Sequence, residues 1–101
     1  MSKNESHEQP WMLLVLILKE IAERKGISIQ QIADKSGLQR SNVSRMFHLK
    51  YAPTLKTFLA VSKAIEVNFF FEDKEGKTEL NEVFESAMEQ LGRRVKNLPK
   101  N

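Results

Sequence analysis

The chain has 101 residues, with 16 Lys and Arg against 13 Asp and Glu, a net charge of +3, 41% hydrophobic residues and no cysteine. This length fits one small globular domain and leaves no room for a separate ligand-binding domain or a large catalytic cleft beside the core. The missing cysteines exclude disulfides, thiolate zinc sites and a thiol nucleophile.

Residues 1–10 are polar and read as a flexible N-terminal tail, with Pro10 suited to a first helical turn, where its missing N–H has no bond to lose. A helix is predicted over 11–25, stopped by Gly26. Leu18, Ile21 and Ala22 recur at helical spacing, with Lys19, Glu20, Glu23 and Arg24 outside. The half from Trp11 to Leu18 is apolar all round, which one buried stripe does not explain, so a second surface is expected to cover it. These eight residues fall far short of the roughly 20 that a membrane span needs. No basic cluster precedes them as in a signal peptide, and a cytoplasmic location is expected.

Ser28 is a good N-cap for a short helix over 29–36, with Ile32 and Ala33 inward and Gly37 as its left-handed stop. A third short helix is predicted over 40–48, with Val43, Met46 and Phe47 as its apolar face. Pro53 ends the next loop, and Thr54 caps a fourth helix to about residue 66, with Leu55, Phe58, Leu59 and Ile65 inward. The β-branched and aromatic run 67–71 reads as a short strand near 67–73, the favoured reading, or as one extra helical turn capped by Asn68. Beyond Gly76, Leu80, Val83, Phe84, Ala87, Met88, Leu91 and Val95 trace the stripe of an amphipathic helix over about 79–96, with Arg93, Arg94 and Lys96 at its end.

The charges are not spread evenly. Residues 35–65 contain Lys35, Arg40, Arg45, Lys50, Lys56 and Lys63 and no acid, whereas residues 66–92 contain eight acids and two bases. The middle of the chain is therefore built to face a polyanion, and the acidic stretch beyond it to face something else.

The segment 29–48 resembles the helix-turn-helix of the lambda-repressor-like (Cro/XRE) transcriptional regulators. That family has an apolar residue and Ala in the first helix, Gly four positions after the Ala, an apolar residue next, and two apolar positions in the second helix. Ile32, Ala33, Gly37, Leu38, Val43 and Met46 fill every slot. Ala33 is small where the helices cross, Gly37 supplies the positive φ of the turn, and the other apolar residues seat the second helix so that its outer face projects. The resemblance covers roughly residues 18–68 and implies an all-α fold, a bundle of four to five helices with the C-terminal amphipathic helix added. It also implies a DNA-binding domain over 11–68 and a C-terminal extension over 69–101.

In this family the second helix of the motif lies in the major groove. Carried over by position, Gln39, Arg40, Ser41 and Ser44 would face bases, with Arg45 at the margin of the base-reading set, and Arg40 could grip guanine O6 and N7 bidentately. Asn42, Lys50, Tyr51, Thr54 and Lys56 would meet phosphates, the last two at a helix N-terminus. Ile29 stands where the family commonly has a Gln that touches backbone, and it has no hydrogen-bonding group to replace it. Phe47 and Leu49 stand where Glu and Gly are common, and Leu49 implies a different loop conformation.

No catalytic set, metal site or cofactor is expected: His7 and His48 are far apart, and no glycine-rich phosphate loop is present. The two apolar surfaces left over, with Trp11 and Leu14 on one and Leu80, Phe84, Met88 and Leu91 on the other, are expected to cover each other or their copies in a second subunit, and a homodimer on a two-fold symmetric site in double-stranded DNA is expected. Two other readings stay open. One is an antitoxin-like regulator whose acidic 66–92 segment binds a protein partner, a toxin or another regulator; the other is a protein-interaction module that has lost DNA affinity.

Overall fold

The structure is a computed structural model that describes residues 9–92. Five helices follow in chain order: α1 (Pro10–Lys25), α2 (Ile29–Ser36), α3 (Arg40–Phe47), α4 (Leu55–Ile65) and α5 (Leu80–Gln90). There is no strand among the described residues.

Local chemistry explains most of these boundaries. Pro10 opens α1, and Gly26 closes it at φ 73°, where the Gly26 and Ile27 N–H groups donate back to the Glu23 and Ala22 carbonyls at 3.1 and 2.9 Å. At α2, Ser28 Oγ accepts from the Gln31 N–H at 3.1 Å while Gln31 Oε1 accepts from the Ser28 N–H at 2.8 Å, a reciprocal cap that satisfies two amides at once. Thr54 Oγ1 caps α4 by accepting from the Thr57 N–H at 3.1 Å.

The first of the two compact units ends at Val67. Within it, α2 packs on α3 and α4, and α1 on α3 and α4. Val15, Leu18 and Ala22 from α1 meet Ile32 and Ala33 from α2, Val43, Met46 and Phe47 from α3, and Val61, Ala64 and Ile65 from α4. Each of the larger side chains buried this way contributes about 1.5–3 kcal/mol. The buried hydroxyl of Ser62 donates to the Phe58 carbonyl at 2.9 Å, so it carries no unmet polar group into the core. Lys25 Nζ donates to the Ile65 and Glu66 carbonyls at 2.8 and 3.1 Å, so the end of α1 caps the end of α4.

Three expectations change. The favoured strand near 67–73 is absent, as is the extra turn, and the segment has no regular structure. A strand needs a ladder partner for its backbone groups, and no other described segment supplies one. Leu55 and Leu59 do not point inward but are 72% and 44% exposed, because the buried face of α4 runs through Val61, Ser62, Ala64 and Ile65. The last helix ends at Gln90 rather than near 96: Gly92 lies at φ 69° and its N–H returns to the Glu89 carbonyl at 2.9 Å, a left-handed stop that the apolar spacing through Val95 concealed. Arg93, Arg94, Val95 and Lys96, like the tail expected over 1–8, lie outside the described residues.

The second unit begins at Asn68. Asp73 organises its first turn, with Oδ1 accepting from the Glu75 N–H at 3.0 Å and Oδ2 from the Thr78 N–H at 2.8 Å. The Thr78 hydroxyl and then these amides favour the charged carboxylate and hold Asp73 below its ordinary range. Glu79 caps α5 through the Asn81 N–H at 2.9 Å. No residue of α5 is buried: Leu80, Phe84 and Met88 are half-buried, and Val83 and Leu91 are exposed.

Candidate nucleic-acid interface

The turn between α2 and α3 is built from short-range contacts. Gly37 sits at φ 78° with its N–H on the Ala33 carbonyl at 2.9 Å. Ser36 Oγ accepts from the Leu38 N–H at 3.2 Å, and Leu38 packs on the core. Gln39 is then extended, at φ −76° and ψ 142°, and α3 begins at Arg40. Of the six motif residues, Ile32, Ala33, Val43 and Met46 are buried, Leu38 is half-buried on the core, and Gly37 makes the turn.

With Val43, Met46 and Phe47 buried, the opposite side of α3 faces outward. Gln39, Arg40, Ser41 and Arg45 are exposed, and Ser44 is half-buried. His48 completes this face at seven residues from Ser41 and four from Ser44. It is exposed, and its Nδ1–H donates to the Ser44 carbonyl at 2.7 Å. His48 is absent from the residues expected at the interface, although the spacing Ser41, Ser44, Arg45, His48 is itself helical.

The expected phosphate residues fall into two groups. Lys50, Thr54 and Lys56 are exposed; Thr54 takes the Thr57 amide, and the Leu55 and Lys56 amides at the same helix start have no intrahelical acceptor and could meet an anion. Asn42 and Tyr51 are half-buried and turned to internal bonds: Asn42 Oδ1 accepts from Arg45 Nη2 at 2.6 Å, and the Tyr51 hydroxyl donates to the Asn42 carbonyl at 3.1 Å. Tyr51 thereby braces the loop against α3.

Leu49 stands in the loop that follows α3. It adopts φ 59°, the left-handed conformation that glycine favours, and the Leu49 and Lys50 amides return to the Met46 and Arg45 carbonyls, each at 2.9 Å. Its side chain packs on the core. Ile29 likewise turns to the core, and the helix start is served by Ser28 and Gln31.

All six basic residues of the acid-free stretch, Lys35, Arg40, Arg45, Lys50, Lys56 and Lys63, are exposed. No acid lies between them in the sequence from Lys35 to Ile65, a concentration of positive charge of the kind that attracts a phosphate backbone. Of the surfaces expected to pair, Leu14 is 51% exposed along with Leu13, Leu16 and Ile17, whereas Trp11 is half-buried against its own core. Among the described residues no His, Cys, Asp and Glu side chains gather as metal ligands, and no helix is long and apolar enough to cross a membrane.

A family model described as Helix-turn-helix matches residues 18–71, over half of the chain, from the second half of α1 through the whole of α2, α3 and α4. No curated protein and no solved structure matches the chain. The helix-turn-helix geometry lies within the matched residues, and the chain belongs to the Cro/C1-type, lambda-repressor-like helix-turn-helix family of DNA-binding transcriptional regulators.

Proposed function

We propose that this protein is a sequence-specific regulator that inserts α3 into the major groove of double-stranded DNA, as a homodimer on a two-fold symmetric operator. The observation that carries this reading is the outward face of α3, with Gln39, Arg40, Ser41, Ser44 and Arg45 inside a run of six exposed bases and no acid. Arg40 and Gln39 have the donor and acceptor groups to read guanine and adenine edges, and the small Ser41 and Ser44 permit close approach. Lys50, Lys56 and the Leu55 and Lys56 amides at the start of α4 would hold the backbone.

One reading helix covers only a few base pairs, so two copies about 34 Å apart are the economical solution. The exposed Leu13, Leu14, Leu16 and Ile17 of α1 and the stripe of Leu80, Phe84, Met88 and Leu91 on α5 are the surfaces available for pairing. Selection of bound duplexes from a random pool tests the whole reading. It should return an inverted repeat with half-sites one helical turn apart, and a protein that selects no sequence would overturn it. Light scattering should find a dimer at micromolar concentration that is lost on removing residues 78–101. A monomer whose DNA binding survives that removal would defeat the homodimer.

A second reading has its own support. α5 buries none of its residues and carries Glu82, Glu85 and Glu89 beside exposed Val83 and Leu91, a surface suited to a basic protein partner as in antitoxin-like regulators. A stoichiometric second protein on purification would favour it.

A further inference from the structure

Two arginines of the first unit are held by a side chain of their own helix, in different ways. Arg24 Nε donates to the Glu20 carboxylate at 2.9 Å, a pair that cancels its charge. Arg45 Nη2 donates to the neutral carboxamide oxygen of Asn42 at 2.6 Å. The nearest acids in sequence are Asp34 and Glu66, and among the described residues Arg45 has no ion pair. A neutral acceptor orders a guanidinium without neutralising it. An ordered arginine loses less rotamer freedom when it meets a base edge, and its remaining N–H donors and full charge stay available. Asn42 is itself fixed, half-buried with its carbonyl receiving the Tyr51 hydroxyl at 3.1 Å. Arg40, at the head of the same helix, has no hydrogen-bond or ion-pair partner among the described residues, so the preset is particular to Arg45.

We propose that Asn42 is a positioning residue that presets the Arg45 guanidinium for base readout, and is not a phosphate ligand. The inference rests on α3 entering the major groove, as proposed above. The pool selection that tests that reading also supplies the duplex needed here. Arg45→Ala should remove the preference at one base pair, a discrimination on the order of 10- to 100-fold for a good arginine contact. Asn42→Ala should remove most of the preference at that same base pair, and adding it to Arg45→Ala should change nothing further. Asn42→Asp keeps an oxygen for Arg45 but cancels its charge. It should retain the preference while weakening all duplexes alike and lowering the slope of log K against log salt by about one.

Thermal melts of each variant confirm that it is folded, and Asn42→Asp still separates order from charge if Asn42→Ala is unstable. A uniform loss of affinity in Asn42→Ala, with every base preference intact, would overturn the positioning role and return Asn42 to the phosphates. Relaxation at a different base pair from Arg45→Ala would overturn it too. If the native protein selects no duplex at all, the groove-binding reading itself fails, a result distinct from either of these.

Discussion

Leu49 and Glu66 end α3 and α4 in the left-handed conformation, at φ 59° and 65°, where a side chain costs about 1–2 kcal/mol that glycine avoids. They differ in what they recover. Leu49 is half-buried on the core, and Glu66 is exposed. Glu66→Gly should therefore raise stability by roughly 0.5–1 kcal/mol in a urea titration, after the entropy of glycine in the unfolded chain is subtracted. Leu49→Gly should give no gain, because the lost packing of a half-buried leucine, about 1 kcal/mol, offsets the relief. On the DNA side, Arg40→Ala should cost about 1–3 kcal/mol and relax preference at one base pair, whereas Lys50→Ala should weaken binding to all sequences alike. Competition binding with single-base operator variants separates the two. The six motif residues were legible in the sequence because each is fixed by its near neighbours. The Lys25 bond to α4 was not, since it joins residues 40 and 41 positions apart that only the packed bundle brings together.

At the level of elements, caps were readable and orientation was less so. Ser28, Gly37 and Thr54 act on amides within three or four residues, so their meaning survives without tertiary context. Leu55 and Leu59 share α4 with a second apolar row, and only contact with α1 and α2 decides which row is buried. The run from Val67 to Phe71 has strand propensity, but propensity cannot supply the missing partner strand. The turn before α5 is held by a single carboxylate, and its response to acid follows from that. Because the Thr78 hydroxyl and the Glu75 and Thr78 amides lower the Asp73 pKa in the folded state, the turn's stabilisation is present above the unfolded value and lost as pH falls through the lower, folded one. Amide chemical shifts of Glu75 and Thr78 should thus titrate together, with a midpoint below the ordinary aspartate value. Asp73→Asn should shift both at every pH.

For the whole molecule, a total charge of +3 conceals an acid-free stretch from Lys35 to Ile65 and an acidic stretch from Glu66 to Gly92. The basic stretch also bears on the protein when no DNA is present. Six like charges, all exposed and without a carboxylate among them, push against the fold that displays them. Added salt screens that repulsion and should steady the free protein. The same salt weakens binding, because associating with DNA releases condensed counterions from the phosphates. Melting temperatures measured in rising salt should therefore climb for the protein alone and fall for its complex with an operator duplex. The two curves should meet at the concentration where the duplex no longer stays bound.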